Sequence, residues 1–358
     1  MHKFLAPLKR GFSFNICLLF FTFLSSTLSS LERVGLAANW PILLAERSEI
    51  LYYKPEASLT NEERLQKKLL SYGYFLEIFP DKTFIPTRFT KLIVYNTLTK
   101  KEMEEVFKRF SKEALVLFIF EPRVVMTDLY EKSFLKQFTK VFTFDDALVD
   151  NKKYCKFFYP VMRPMLDNTP SFTEKKFCCL FGTNLESRIE GELYTERRRA
   201  IKFFENKEEE LFDLYGRNWE KLGYKNYRGA VIDKIAVLKQ YKFTISYENS
   251  SSQNGYITEK IFDAFHAGVV PIYLGAPNIE KYIPKGCFID KRDFPSYEKL
   301  YDFLQNISEE EYEVYIENIR SFLASKEALL FTSEYFVENF CRHLLYRFLN
   351  HERYTSTE

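Results

Sequence analysis

Short apolar runs alternate with amphipathic stretches along the chain from residue 48 onward. Residues 114–120 read ALVLFIF, an uninterrupted apolar run typical of a central parallel strand that is buried on both faces. Residues 61–71 and 101–111 instead repeat their apolar positions at helical spacing, which predicts two helices. This alternation of strands and helices favours a parallel α/β sheet.

The same alternation predicts two successive sheets. Further strands are expected at 50–53, 75–79, 91–95 and 141–144, and then at 176–181, 211–215, 243–247, 269–274 and 287–289. Further helices are expected at 192–205, 231–240, 257–267, 297–305, 309–323 and 333–350. Residues 159–173 contain three prolines and little periodicity, which indicates a linker between the two sheets. Two open sheets joined in this way bind ligands in the crevice between them, at the carboxyl ends of the strands.

The first forty residues differ from the rest. Lys3, Lys9 and Arg10 precede an uncharged run over residues 11–31, close to the roughly 20 residues that cross a bilayer. The basic flank predicts a single-pass membrane protein with a cytoplasmic N-terminus. A cleaved signal peptide and a peripheral or misassigned extension remain alternatives, because small residues follow the apolar core. Residues 1–40 are therefore left out of the fold prediction.

The composition argues against two classes of function, nucleic-acid binding and chemistry at a zinc or iron–sulfur centre. The chain has 51 basic and 49 acidic residues, and a net charge of +2 argues against nucleic acid as its partner but allows a local anion site. Six cysteines without a C-x-x-C pair and only four histidines make a zinc or iron–sulfur centre unexpected.

Candidate chemistry concentrates in residues 242–294. A predicted strand ends in polar residues, a loop through Gly255 follows, and a helix opens near Lys260. The first turn of a helix favours an anion, Lys260 adds a positive charge, and Glu259 can accept bonds from sugar or ribose hydroxyls. Alternatively, Thr258 and Glu259 cap the helix and Lys260 is solvated. A second strand-to-helix turn follows at 275–278, and neither turn matches a Walker loop or G-x-G-x-x-G, which counts against nucleotide hydrolysis and dinucleotide redox chemistry.

These residues resemble the donor site of the alpha-1,3/1,4-fucosyltransferases, glycosyltransferase family ten. The resemblance is carried by YENS at 247–250, GYITEK at 255–260, VPIYLG at 270–275 and FIDKRDF at 288–294. Weaker similarity at 117–122, 141–149, 192–204 and 212–219 extends it over residues 90–335. The resemblance implies a GT-B fold, in which two Rossmann-like domains face a cleft. It divides the chain into residues 1–40, an acceptor-side domain at 41–160, a nucleotide-sugar domain at 161–335 and a C-terminal helix at 336–358, whose apolar face favours crossing back onto the first domain.

The implied reaction is inverting transfer of fucose from GDP-fucose to a hydroxyl of a glycan, of N-acetyllactosamine or lipopolysaccharide type. Such a reaction needs a carboxylate to take the acceptor proton, and cations to stabilise the departing GDP. For the base, the resemblance implies Glu121, which follows the apolar strand at 114–120. In the family a glutamate near a proline in this region takes the acceptor proton, although here Glu121 directly precedes Pro122. Asp145 and Asp146 are weaker candidates for the base.

For the diphosphate, the resemblance implies Lys260 and one arginine of Arg197, Arg198 and Arg199. Arg197 fits best and Arg198 second, and only one or two of three neighbours on a helix can face a cleft. It also implies that Asn249, Tyr256 and Glu259 hold the nucleotide sugar. With no Asp-x-Asp motif after a strand, no metal and no cofactor is expected.

Two other hypotheses stay open. One is a transferase of the same fold that uses another nucleotide sugar, and the other is a catalytically silent, membrane-tethered protein that binds nucleotide or glycan. A lumenal catalytic domain suits the Golgi of a eukaryote, whereas in a bacterium the donor is cytosolic and a membrane-associated enzyme is expected.

Overall fold

The computed structural model describes residues 32–37, 60–72, 74–79, 91–95, 100–207 and 212–351. The apolar run at 11–31 and the strand predicted at 50–53 lie outside these residues. Among the described residues, two parallel sheets occur in succession along the chain, each with helices between its strands.

The first sheet has six parallel strands in the order β2-β1-β3-β4-β5-β6. These are β1 (Glu32–Ala37), β2 (Tyr74–Phe79), β3 (Lys91–Tyr95), β4 (Leu115–Ile119), β5 (Lys140–Thr143) and β6 (Tyr154–Lys156). Helices α1 (Asn61–Ser71), α2 (Lys100–Arg109) and α3 (Lys132–Leu135) belong to this half. Every residue of β4 is buried, as the continuous apolar run predicts for a central parallel strand.

Strand β1 corrects the boundary that the sequence suggested for this domain. The pattern set residues 1–40 apart, yet β1 runs between β2 and β3, in parallel register with both. Its residues directly follow the uncharged run and carry no clear alternation of apolar and polar side chains. Strand β6 also escaped prediction, because three residues are too few to establish a period.

A shortened chain tests the place of β1. Removing residues 1–31 should leave the fold intact, whereas removing 1–40 should separate β2 from β3 and lower the Tm by about 5–10 °C. Thermal unfolding followed by circular dichroism compares the two chains. An equal Tm for both would contradict the placement of β1 in the sheet.

The second sheet has five parallel strands in the order β11-β10-β9-β7-β8. These are β7 (Lys176–Phe181), β8 (Phe212–Tyr215), β9 (Tyr241–Tyr247), β10 (Val270–Leu274) and β11 (Ile289–Asp290). The helices of this half are α4 (Tyr194–Glu205), α5 (Lys234–Leu238), α6 (Glu259–His266), α7 (Tyr297–Asn306) and α8 (Glu309–Leu323).

The last helix, α9 (Ser333–His351), returns to the first domain. Phe336 and Phe340 lie against Phe118 of β4, with ring centroids 5.7 and 5.2 Å apart, and Phe340 also contacts Phe142 of β5. This is the crossing that the apolar face of the helix predicted. Aromatic side chains therefore pack α9 on the first sheet.

The polar residues that follow two strands bring the sheets together. Asp146, just after β5, accepts a hydrogen bond of 2.7 Å from the side chain of Asn278, which follows β10. Asp146 lies three residues after the end of β5 and Asn278 four residues after the end of β10, so the carboxyl ends of the two sheets face each other. Such folds place their ligands at this position.

Candidate active site

Glu248 is the buried centre of the residues at the end of β9 and the start of α6, called the donor-side residues here because the family resemblance predicts that they bind the donor. It follows β9 and is fully buried. Its carboxylate accepts hydrogen bonds from the backbone N–H of Thr258, at 2.8 Å, and from the Thr258 hydroxyl, and it pairs with the Lys260 ammonium at 3.3 Å. The end of β9 is thereby tied to the first turn of α6. Glu248 had no predicted role of its own, although its place as a polar residue directly after a buried strand was the available signal.

Lys260 lies between two carboxylates. Its Nζ is 3.3 Å from Glu248 and 3.2 Å from Glu259, and its side chain is 17% exposed. Burial by itself lowers the pKa of Lys260, but the two carboxylates outweigh burial and raise it. Thr258 does cap α6, as the alternative interpretation held, but Lys260 is held in place rather than solvated.

Glu259 remains ionised in this setting. Burial acts to raise the pKa of Glu259, and the ammonium groups of Lys260 and Lys234 more than offset it, so that the pKa is lowered to about 2. The side chain is 51% exposed, which leaves its carboxylate open to a ligand. An ionised carboxylate accepts hydrogen bonds only, which suits the hydroxyls of a sugar.

Of the three neighbouring arginines, only Arg197 lies beside Asn249. Its guanidinium is buried and donates to the carbonyl of Tyr247 at 2.7 Å and to Oδ1 of Asn249 at 2.8 Å. Burial lowers the pKa of Arg197, but a guanidinium stays charged in proteins. Arg197 and Lys260 both lie at the end of β9, since Arg197 donates to Tyr247 and Asn249 and Lys260 pairs with Glu248 between them.

Arg198 and Arg199 lie elsewhere. Arg198 donates to the carbonyl of Leu185 at 2.8 Å and to the Thr195 hydroxyl at 3.2 Å, so that it fixes the chain before α4. Arg199 pairs with Glu196 at 3.0 Å on the exposed face of the helix. The turn of about 100° between neighbouring helical residues explains this division.

Glu121 faces the same region from the first domain. It follows β4, and its backbone carbonyl accepts a 2.8 Å hydrogen bond from the Tyr130 hydroxyl. Burial raises the pKa of the Glu121 carboxyl, the Lys260 ammonium lowers it, and the charges of Glu259 and Glu248 raise it again, with a net increase. The pKa of Glu121 is therefore sensitive to the charges of Lys260, Glu259 and Glu248.

Tyr256 lies differently from the expectation that it holds a nucleotide sugar. Its side chain is 2% exposed and packs in the core of the first domain, with ring centroids 4.8 Å from Phe144 and 6.1 Å from Tyr159. The sequence pattern did not reveal that this ring turns toward the other domain.

Asp145 and Asp146 are used in contacts between the domains. Asp146 accepts hydrogen bonds from Lys156 at 2.7 Å, Asn278 at 2.7 Å and the hydroxyl of Tyr282 at 2.6 Å. Burial opposes the ionised form, but these donors lower the pKa of Asp146. A carboxylate held by three donors is a poor base, so that Glu121 is the better placed of these carboxylates.

Within the described parts of the chain, no three His, Cys, Asp or Glu side chains are grouped so that they could hold a metal ion. Over the same residues, no helix combines the length and apolar character that a membrane span requires.

Residues 185–356 match the family described as glycosyltransferase family 10 (fucosyltransferase), C-terminal part. This part of the chain belongs to glycosyltransferase family 10. Relatives of the family 10 segment include an alpha-(1,3)-fucosyltransferase of Helicobacter pylori, 36% identical over 84 residues, which are 24% of this chain and 16% of that protein. Human alpha-(1,3)-fucosyltransferase 4 is 32% identical over 118 residues, 31% of this chain and 21% of its own length. The matches thus span about a fifth or less of these relatives.

Solved structures agree on the fold. A crystal structure of an alpha1,3-fucosyltransferase with GDP aligns with a TM-score of 0.51 at 16% identity, over 88% of this chain and 91% of that one. A sucrose-phosphate synthase of Thermosynechococcus elongatus aligns with a TM-score of 0.55 at 12% identity, over 90% and 100% of the two chains. Both are similar in fold, and the expected GT-B architecture is confirmed.

The pairing of Glu248 with Lys260 gives a stability prediction. Glu248→Gln keeps an acceptor for Thr258 but removes the charge beside Lys260, and we expect the free energy of unfolding to fall by about 1–3 kcal/mol. Denaturant unfolding measures the change. The control is Glu280→Gln, whose exposed pair with Lys285 at 3.8 Å should contribute about 0–1 kcal/mol. Equal losses for the two variants would contradict the role of Glu248.

Proposed function

We propose that this protein is an inverting fucosyltransferase that moves fucose from GDP-fucose to a hydroxyl of a glycan. The observation that carries the proposal is the arrangement of charges where the two sheets meet. A carboxyl of raised pKa, Glu121, comes from the first domain, and the cations Lys260 and Arg197 come from the second. Membership of residues 185–356 in a fucosyltransferase family supports fucose as the sugar.

The cations account for departure of the nucleotide. When the bond between sugar and phosphate breaks, negative charge grows on the diphosphate, and preorganised positive groups stabilise that charge. Lys260 is charged and restrained by two carboxylates, so that little reorganisation is needed as the charge develops. Arg197 is held by the end of β9 and contributes its field from a buried position.

Glu121 supplies the base. A carboxylate in a partly buried site takes a proton more readily than one in water, because burial favours its protonated form. As the acceptor oxygen attacks the anomeric carbon, its proton passes to Glu121, the bond to GDP breaks, and GDP leaves with the electron pair. A single displacement of this kind inverts the anomeric centre and needs no covalent intermediate. Glu259 and Asn249 are proposed to hold hydroxyls of the donor.

Release of GDP by the full chain in detergent tests the function. GDP-fucose is compared with GDP-mannose and UDP-sugars, with and without N-acetyllactosamine or lipopolysaccharide, in EDTA. GDP release from GDP-fucose alone, raised by an acceptor, supports the proposal and its independence of metal. Preference for another donor would favour a different transferase of this fold. Saturable GDP binding without release from any donor would favour a silent binding protein.

We also propose that residues 11–31 tether the chain to a membrane, as their uncharged length and basic flank favour. Fractionation of cells that express the full chain, or the chain without residues 1–31, tests this. Loss of the membrane-bound fraction with the shorter chain is the expected result, and equal fractions would contradict it.

A further inference from the structure

The loop at residues 249–257 joins β9 to α6, and we call it the bridging loop. Its two ends carry donor-side residues, since Glu248 precedes it and Thr258, Glu259 and Lys260 follow it. The middle of the bridging loop contacts the first domain. The backbone N–H of Asp146 donates to the carbonyl of Asn254 at 3.1 Å, so that the first domain holds the loop.

Gly255 shows how closely the loop meets the first domain. It has a φ of +80°, and a Cβ at this position would lie 2.6 Å from the carbonyl oxygen of Phe144. Its N–H donates to Oδ1 of Asn278 at 2.8 Å, and Nδ2 of Asn278 donates to Asp146. The loop is therefore clamped from both sides, and its position is fixed relative to both sheets.

Gln253 is the residue of this loop that contacts the segment after β4, which carries the proposed base Glu121. Its side chain is 6% exposed. Oε1 accepts the backbone N–H of Arg123 at 2.7 Å, and Nε2 donates to Oδ2 of Asp145 at 3.0 Å. The same side chain lies against the Tyr130 hydroxyl, which in turn donates to the carbonyl of Glu121.

The segment that carries Glu121 is thus attached to the second domain by the neutral side chain of Gln253, beside a second bond in which the Ser187 hydroxyl donates to the carbonyl of Val124 at 2.9 Å. Arg123 is two residues after Glu121, and its guanidinium lies over the ring of Tyr130, 4.9 Å from the centroid. With Arg123 and Tyr130 both in contact with Gln253, displacement of the bridging loop displaces Glu121. An apolar side chain of similar size fills the space of Gln253 but makes neither hydrogen bond.

We propose that Gln253 is a positioning residue for Glu121, which couples the loop bearing the donor-side residues to the segment bearing the base. The inference rests on the proposed function for its kinetic consequence, but the contact itself is independent of it. Gln253 touches no reacting atom in this scheme. It fixes the distance across the cleft over which proton transfer must occur.

The first experiment compares Gln253→Met with the wild-type full chain. We expect kcat for fucosyl transfer to fall on the order of tenfold, because a general base displaced by a fraction of an ångström loses its alignment. KM for GDP-fucose and the Kd of GDP should stay within about twofold, since the donor-side residues keep their own contacts. Gln305→Met is the control, because Gln305 also bonds a tyrosine hydroxyl, that of Tyr301 at 2.8 Å, on an exposed helix. A loss of GDP affinity equal to the loss of kcat, or unchanged kcat, would overturn the proposal.

The conservative variant Gln253→Glu adds a pH test. The groups that face this position are Asp145, Tyr130 and the backbone N–H of Arg123, and the Tyr130 hydroxyl in turn donates to the carbonyl of Glu121. The introduced carboxyl group repels Asp145 when it is ionised, whereas in its protonated form it can again donate to Asp145. We therefore expect kcat of the variant relative to wild type to rise as the pH is lowered. The two proteins are compared only at pH values above the acid limb of each, where Glu121 is ionised in both. A ratio that stays flat would contradict the role of the bond to Asp145.

Hydrogen exchange separates failure of this inference from failure of the proposed function. In Gln253→Met, peptides that cover residues 121–130 should exchange faster, because the Arg123 N–H has lost its acceptor. This readout needs no substrate. Wild-type protein without transferase activity would overturn the proposed function, and exchange would still decide the coupling. Unchanged exchange over residues 121–130 would overturn the coupling even in an active enzyme.

Discussion

Glu121→Gln should lower kcat for fucosyl transfer by about 10²–10⁴-fold while GDP still binds, since a missing general base typically costs that much. Glutamine keeps the size of the side chain and the backbone carbonyl bond from Tyr130, but it cannot accept a proton. Initial rates with saturating GDP-fucose and acceptor measure the loss. Calorimetric titration with GDP checks that the donor site is intact.

The pH dependence should change together with the rate. Burial raises the pKa of Glu121, so wild-type kcat/KM should fall as the pH drops through a value above the usual range of a glutamate. The fall occurs on the acid side because the base must be ionised to accept a proton. The residual activity of the variant should lack this limb. A variant with wild-type kcat, or with the same acid limb, would place the base elsewhere, and Asp145→Asn and Asp146→Asn would then be the next comparisons.

Lys260→Met should lower kcat/KM for GDP-fucose by about 10²–10³-fold, the usual cost of removing one group that stabilises charge in the transition state. Methionine retains the length of the stem and lies in the same partly buried place. Rates over a range of GDP-fucose concentration measure the loss. Lys285→Met serves as the control, since Lys285 is 53% exposed and pairs with Asp293 at 3.1 Å.

Loss of stability must be separated from loss of chemistry in this variant. Without Lys260 the buried carboxyl of Glu248 has lost its cation, which destabilises the fold. The double variant Glu248→Gln with Lys260→Met removes both charges, and we expect it to regain part of the free energy of unfolding but none of the activity. Recovery of activity in the double variant would show that Lys260 acts only through folding.

The fold could be predicted from the sequence because its strands and helices have strong periods. The helix at Asn61–Ser71 and the strands at Lys91–Tyr95 and Lys176–Phe181 have the predicted bounds. Strand β1 could not be predicted, because its six residues adjoin an apolar run and gain their place only by pairing with β2 and β3. Short strands are selected by their neighbours rather than by their own pattern.

The sequence by itself determined the α/β architecture and the two successive sheets, and it singled out the loop between β9 and α6 as a candidate site. Only the tertiary structure decided which of three adjacent arginines faces that loop, that Tyr256 packs in the first domain, and that Glu248 holds Lys260. It also decided that Gln253 contacts the segment of Glu121, through a bond to a residue 130 positions away in the chain. The physical reason is one of range. Periodicity and spacing report interactions between near neighbours, whereas burial, ion pairing and the meeting of two strand ends depend on residues that only the packing of the whole chain brings together.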